Sequence, residues 1–437
     1  MRTMSPTFKR RLFNGYSFLS LFLSSFVLQG KKKDESSQDE KEPTLNKRLL
    51  NVGLIVLIDM LGFALIVPLL TFFADSFGAT EFQTGLLVSS YALMQMISAP
   101  ILGRLSDKYG RRPVFLISIL GTFIGFLILG FANSMVWLFA SRILSGLTAG
   151  NISVAQAYIA DVTDEKNRAR GMGMFGAAFG IGFILGPAMG GMLSQFGFAV
   201  PAFVSAALAF INLLTVFFWL PESLTDERRA ELATQKKADI SFAALIAALN
   251  HPQVGALLWV RFGFAIAFNS FQTVFPLYVL NKFGLGAQQT GYILAYLGIV
   301  LVIMQGGLIG PLSARFKESS LIVTFLGFAL VGMLGWTFAQ SIPVLLVAMF
   351  PMAVGAGSFN ALINSAISKA VTRDEVGGML GFGAGLESAT RVVMPALASY
   401  LLGRYGTSTP GYMGSVVLAV VVIYAYFNLI AKHANVN

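Results

Sequence analysis

A chain of 437 residues that is 55% hydrophobic and only 12% charged falls far below the roughly 25% charge of an ordinary soluble domain, which excludes a soluble enzyme. Its net charge of +10 lies in alternate loops and not on one basic face, so it records membrane topology and excludes a nucleic-acid partner. The lack of cysteine excludes disulfides and thiolate metal sites; His251 and His433 fall at predicted loop-side edges, so neither a metal nor an organic cofactor is implied.

In chain order, residues 1–48 stand apart. There is no acid before Asp34, a Ser/Phe/Leu-rich run extends from Leu12 to Gln29, and Lys31, Lys32 and Lys33 precede an acidic tract ending at Glu42. A cleaved signal or transit peptide, an extra membrane segment and translation from upstream of the true start all fit. A span here would place Lys31 to Lys33, Lys47 and Arg48 outside, against the positive-inside rule, so a targeting or artefactual leader is favoured.

Apolar stretches near the roughly 20 residues that cross a bilayer follow at 51–73, 82–102, 113–132, 136–160, 171–194, 198–220, 254–280, 288–311, 320–339, 342–368, 377–402 and 411–431. The expected fold is an all-α polytopic membrane protein with twelve transmembrane helices. The breaks around Asn133 and Gln340 are the weakest. A first six-span half covers 49–221, a polar linker ending in the amphipathic run Ile240 to Leu249 covers 222–253, and a second half with a short tail covers 254–437. Arg104, Arg111, Arg168, Arg228, Arg315 and Lys369 typify the basic loops, whereas the opposite loops hold only Lys282 and Arg404. Both ends of the twelve-span body are therefore cytoplasmic.

Ionisable groups inside the spans each cost roughly 3 kcal/mol or more, so each needs a partner, water or a function. Asp59 lies about nine residues, or about 14 Å, into the first span, near the midplane. With no opposite charge in its own helix, it is the first proton-site candidate. Arg142 lies in the fourth span and Arg261 in the seventh. Glu387 and Arg391 in the eleventh are spaced to pair along one face, and a structural pair and a functional role both stay open for them.

Between the second and third spans, Gly103 to Arg112 reads GRLSDKYGRR, a dense charged knot holding Asp107 between apolar runs. The fourth span contains Asn151-Ile152-Ser153, a glycosylation pattern expected to be unmodified within a helix. Gly171-x-Gly173-x-x-Gly176 matches a dinucleotide fingerprint but follows no strand and opens a span, so no cofactor is inferred from it. Further along the fifth span, GFILGPAMGG supplies Gly182, Gly186, Pro187, Gly190 and Gly191, a pattern of close helix approach around a broken backbone ladder. No phosphate loop of the GxxxxGK[ST] type occurs, which argues against ATP-driven pumping.

The halves repeat. Pro68-Leu69, Phe77-Gly78 and Gln83-Thr84-Gly85 return as Pro276-Leu277, Phe283-Gly284 and Gln289-Thr290-Gly291, at offsets of 206 to 208. GRLSDKYGRR meets GPLSARFKES, residues 310–319, without its Asp and second Gly.

The loop signature and the fifth-span motif resemble those of the major facilitator superfamily. YALMQ at 91–95, AP at 99–100, RILSG at 142–146 and LGPAMGG bring the likeness to its twelve-helix drug/proton antiporters, nearest the tetracycline-exporter branch, from Leu49 onward. The resemblance implies two pseudo-symmetric six-helix bundles around a central site. It also implies a clamp of Asp107, Arg111 and Arg112 against helix 11, with Gly103 and Gly110 shaping the turn. Arg142 would serve proton movement, and Gly186 and Pro187 a hinge typical of exporters. The cavity helices would offer Gln156, Arg261, Asn269, Gln272, Asn360 and Asn364, a lining suited to an amphipathic or weakly cationic compound. Helix 3 has no charge, and helix 8 offers Gln305 where the tetracycline exporters bring a His, so a substrate other than tetracycline is expected.

The function expected is proton-coupled export of small organic compounds by a monomer in a bacterial inner membrane, with an organelle membrane left open. A facilitator or proton symporter for a sugar or other metabolite, and a non-transporting receptor, are the alternatives.

Overall fold

A computed structural model describes residues 42–234 and 242–431. The readings of residues 1–41, and those of Ile240 and His433, lie outside the described residues. Arg48–Asn437 forms one compact unit.

Lipid cannot satisfy backbone polar groups, so each span closes its own hydrogen bonds as helix. The first half comprises α1 (Glu42–Ile66, continued by Leu69–Asp75), α2 (Glu81–Tyr109), α3 (Arg111–Gly130), α4 (Met135–Leu147 and Asn151–Val162), α5 (Glu165–Leu193) and α6 (Ala199–Trp219). The second comprises α7 (Gly255–Phe283), α8 (Ala287–Ile303, through a π turn to Arg315), α9 (Glu318–Phe338), α10 (Ile342–Lys369), α11 (Arg373–Tyr405) and α12 (Thr409–Ala425, ending in a π turn). Short helices Asp226–Thr234 and Phe242–Leu249 lie in the linker. Among the described residues, ten helices are long and apolar enough to cross a membrane by themselves. The remaining two of the twelve are α4, which is broken, and α11, which carries internal charge. The expected breaks near Asn133 and Gln340 are well formed, with α3 ending at Gly130 and α9 at Phe338.

The fourth span is not the single helix its apolar run predicts. It breaks at Thr148 to Gly150, where a side chain on Gly150 would meet the Leu102 Cδ1 at 2.8 Å and the Ser118 Oγ at 3.0 Å. The break starts a new helix at Asn151 in mid-span, whose first N–H groups have no partner within that helix.

The halves meet along two seams, α2 against α11 and α5 against α8. Both are closest at the end away from the basic loops. A methyl group on Gly85 would fall on the Pro395 carbonyl and 2.7 Å from the Ser399 Cβ; one on Gly291 would fall on the Pro187 carbonyl and 3.2 Å from the Gly191 Cα. Glycine lets the two backbones touch directly. Gly85 and Gly291 stand 206 positions apart, Pro187 and Pro395 stand 208 apart, so the repeat builds the same contact twice. Toward the basic end the same four helices part: Gly103 in α2, Gly173 and Gly176 in α5, Gly310 in α8 and Gly381 in α11 would place a side chain with no neighbour within 4 Å. The interior therefore opens on the basic side.

Candidate transport site and gating cluster

In the first half the break in α4 places Asn151 beside Asp59, whose Oδ1 accepts from the Asn151 Nδ2 at 2.8 Å. The opened helix end adds its positive dipole to that contact. Arg142, nearly two turns before the break, is buried. Its Nη2 donates to the Ser141 Oγ at 3.0 Å and its guanidinium lies 5.7 Å from the Phe126 ring centroid, while its Nε has no partner. Among the described residues no carboxylate forms a salt bridge with Arg142. The glycosylation pattern thus turns out to hold a polar partner of the interior acid.

The second half is organised differently. Glu387 of α11 accepts from the Arg391 Nη2 at 2.6 Å and from the Arg261 Nη2 of α7 at 3.2 Å. Arg261 also donates through Nη1 to the Asn364 Oδ1 of α10 at 2.8 Å. Asn269 donates to the Thr390 Oγ1 at 2.7 Å. The i,i+4 pair foreseen in α11 is therefore one side of a three-helix cluster. Tyr91 of α2 accepts from the Gln95 Nε2 at 3.4 Å and lies against the Phe63 ring of α1 at 5.6 Å between centroids. Of the remaining cavity candidates, Gln272 is exposed and Gln156 and Asn360 are half-buried. Beside the expected lining of Asp59, amides and apolar residues, the arrangement brings two arginines, Arg261 and Arg391, to one carboxylate, Glu387.

At the basic end Arg111 is the hub. It is buried, and it donates to Asp107 Oδ1 at 2.6 Å, to Asp161 Oδ2 at 2.9 Å and to the Ser106 Oγ at 2.7 Å. Glu222, just after α6, accepts the backbone N–H of Arg111 at 2.9 Å and of Arg112 at 3.1 Å. These are orphan donors at the start of α3, where a carboxylate is favoured. Gly110 turns the chain with φ +107°, and a side chain there would strike the Glu222 carboxylate. Gly103, expected to shape that turn, lies inside α2 in open space, and Gly110 alone does so. The Arg112 Nη2 donates to the Phe217 carbonyl at 2.6 Å. Asp161, Ser223 and Glu222 escaped the sequence reading because they are distant in the chain; an acid directly after Pro221 at a span end was the available signal.

The fifth-span motif splits by face. Gly182 packs on Met60, Gly186 on Ala64 and Gly190 on the Leu65 carbonyl, all in α1, whereas Pro187 and Gly191 face α8. The motif thus joins α1 to the α5/α8 seam.

The sequence profile of the Major Facilitator Superfamily matches residues 52–339 and 306–436. The chain belongs to this superfamily. It is 29% identical to the class H tetracycline resistance protein of Pasteurella multocida over 88% of this chain and 97% of that one. It is 31% identical to the class C protein of Escherichia coli over 84% and 92%. Multidrug resistance protein 2 of Bacillus subtilis is 31% identical over 68% of this chain and 74% of that protein. In fold, the chain matches a bacterial homologue of the human lysosomal transporter Spinster in an inward-facing, occupied conformation, with a TM-score of 0.71 at 13% identity over 91% of this chain and 99% of the other. The human organic anion transporter TETRAN matches with a TM-score of 0.65 at 22% identity over 87% and 99%. This superfamily member is accordingly a multi-pass efflux-type transporter near the tetracycline-exporter branch.

Proposed function

We propose that the protein is a proton-coupled exporter of amphipathic organic compounds that works by alternating access in a bacterial inner membrane. The observation that carries this reading is Asp59: a carboxylate inside the membrane, held by one neutral amide from Asn151, at the start of a half-helix. A proton arriving from outside neutralises it, which removes a charge from the interior, and its release on the cytoplasmic side resets the site. The Arg111 hub would join the halves at the basic end once the Gly85 and Gly291 seams separate.

The test is transport in proteoliposomes holding a pH dye under an imposed proton gradient. Substrate should discharge the gradient through the wild type, and Asp59→Asn should abolish that discharge while leaving downhill substrate movement. Full proton-driven transport by Asp59→Asn would remove this assignment.

A further inference from the structure

The exporter reading leaves the chemistry of the cargo open. Resting on that reading, we propose that Arg391, backed by Arg261, anchors the carboxylate of an amphipathic aromatic anion, which takes the place of Glu387 on Arg391. The charges of the interior carry this inference. Among the described residues Arg261 and Arg391 share one carboxylate, Glu387, and buried Arg142 forms a salt bridge with none, so a proton on Asp59 leaves three interior cations against one anion. A monoanion offsets part of that excess; a cation adds to it.

The geometry favours Arg391 as the exchanging partner. The Arg261 side chain is only 9% exposed and is fixed by Glu387 and Asn364, with Gly383 of α11 making room for its guanidinium. It can retain Glu387 when a ligand arrives. The Arg391 side chain is 51% exposed, sits one turn to the open side of Pro395, and one of its five donors holds Glu387. A planar fork of that kind binds a carboxylate through two parallel bonds.

An aromatic body finds a place beside the anchor. Phe264 and Phe268 follow Arg261 on the same stripe of α7, at i+3 and i+7. Phe264 stacks on Phe359 of α10 at 4.1 Å and on Phe268 at 5.6 Å, and Phe268 is half-buried. On α5, Phe175, Phe179 and Phe183 form a second half-buried stack.

The probes are pyrenebutyrate, its methyl ester and pyrenebutylamine, which share one ring system and differ in charge, tested on the full chain in proteoliposomes. Pyrenebutyrate should bind saturably, and Arg391→Gln should weaken it by about tenfold or more, the loss expected for one charge-assisted pair. The ester and the amine should bind wild type and variant alike. Glu387→Gln should tighten pyrenebutyrate several-fold by releasing Arg391, an effect a merely structural residue would not give. If Arg391→Gln fails to insert, as judged by size-exclusion elution, Glu387→Gln decides alone, and no tightening overturns the proposal. Binding of the amine in preference to the acid overturns it as well. If tetracycline discharges the proton gradient while pyrenebutyrate does not bind, only the anion anchor fails. If pyrenebutyrate binds as expected but neither it nor tetracycline moves against a gradient, the anchor stands and the exporter reading fails.

Discussion

The basic ends of the two halves hold the same contact with its polarity reversed. In the first half Arg111, at the start of α3, pairs with Asp161, at the end of α4; in the second, Glu318 at the start of α9 pairs with Lys369 at the end of α10. Arg111 and Glu318 are 207 positions apart, Asp161 and Lys369 are 208 apart, so the repeat preserved the pairing of helix ends and exchanged the charges. Their surroundings differ more than their chemistry. Arg111 and Asp161 are 5% and 12% exposed, with Asp107 and Glu222 packed around them, whereas Lys369 is 69% exposed and shares Glu318 with the Ser365 hydroxyl. One duplicated contact became a buried hub in the first half and stayed a surface pair in the second.

The comparison breaks most visibly at the seams. Gly85→Val and Gly291→Val each push a side chain into a facing proline carbonyl, and overpacking of about 1–3 kcal/mol should lower the closed-state population, and with it flux in proteoliposomes, by about tenfold or more. The two variants should be equally impaired; a loss at one seam alone would show that the seams are not equivalent. In stability the largest effect is that of Arg111→Ala, which strands Asp161 and should destabilise the protein by about 3 kcal/mol, the cost of breaking a buried pair, read as a fall in thermal midpoint in detergent. Gly110→Ala forces φ +107° on a residue with a side chain and should cost about 1–2 kcal/mol, more if Glu222 is displaced. Asp107→Asn weakens one charged partner of Arg111 and should reduce turnover while leaving insertion intact; unchanged flux would remove its gating role. Smallest of all, Lys369→Ala removes an exposed partner and should change stability by about 0–1 kcal/mol. If Lys369→Ala proves as costly as Arg111→Ala, burial does not separate the two contacts.

The fold was legible because a bilayer imposes one length and one polarity on every span, and the loops around Arg104 and Arg315 declare their side by charge. The repeat was legible because Gln83-Thr84-Gly85 and Gln289-Thr290-Gly291 are short and nearly identical. The internal charges of the candidate site were also legible, since Asp59, Arg142, Arg261 and Glu387 interrupt otherwise apolar runs. Their partners were not. Asn151 read as a modification pattern, Gly103 as a turn former, and Asp161 carried no signal at all, because hydropathy and local motif carry no information on which helix faces which.

From Leu49 onward the sequence alone determined a body of twelve spans in two related halves, with charged groups at chosen depths, because insertion energy depends on each segment separately. Only the tertiary structure decided that α4 breaks to offer Asn151 to Asp59, that Glu387 is shared between Arg261 and Arg391, and that Gly85 and Gly291 meet the carbonyls of Pro395 and Pro187. Those outcomes depend on contacts between helices distant in the chain, where packing and the cost of burying an unpaired charge select the partner.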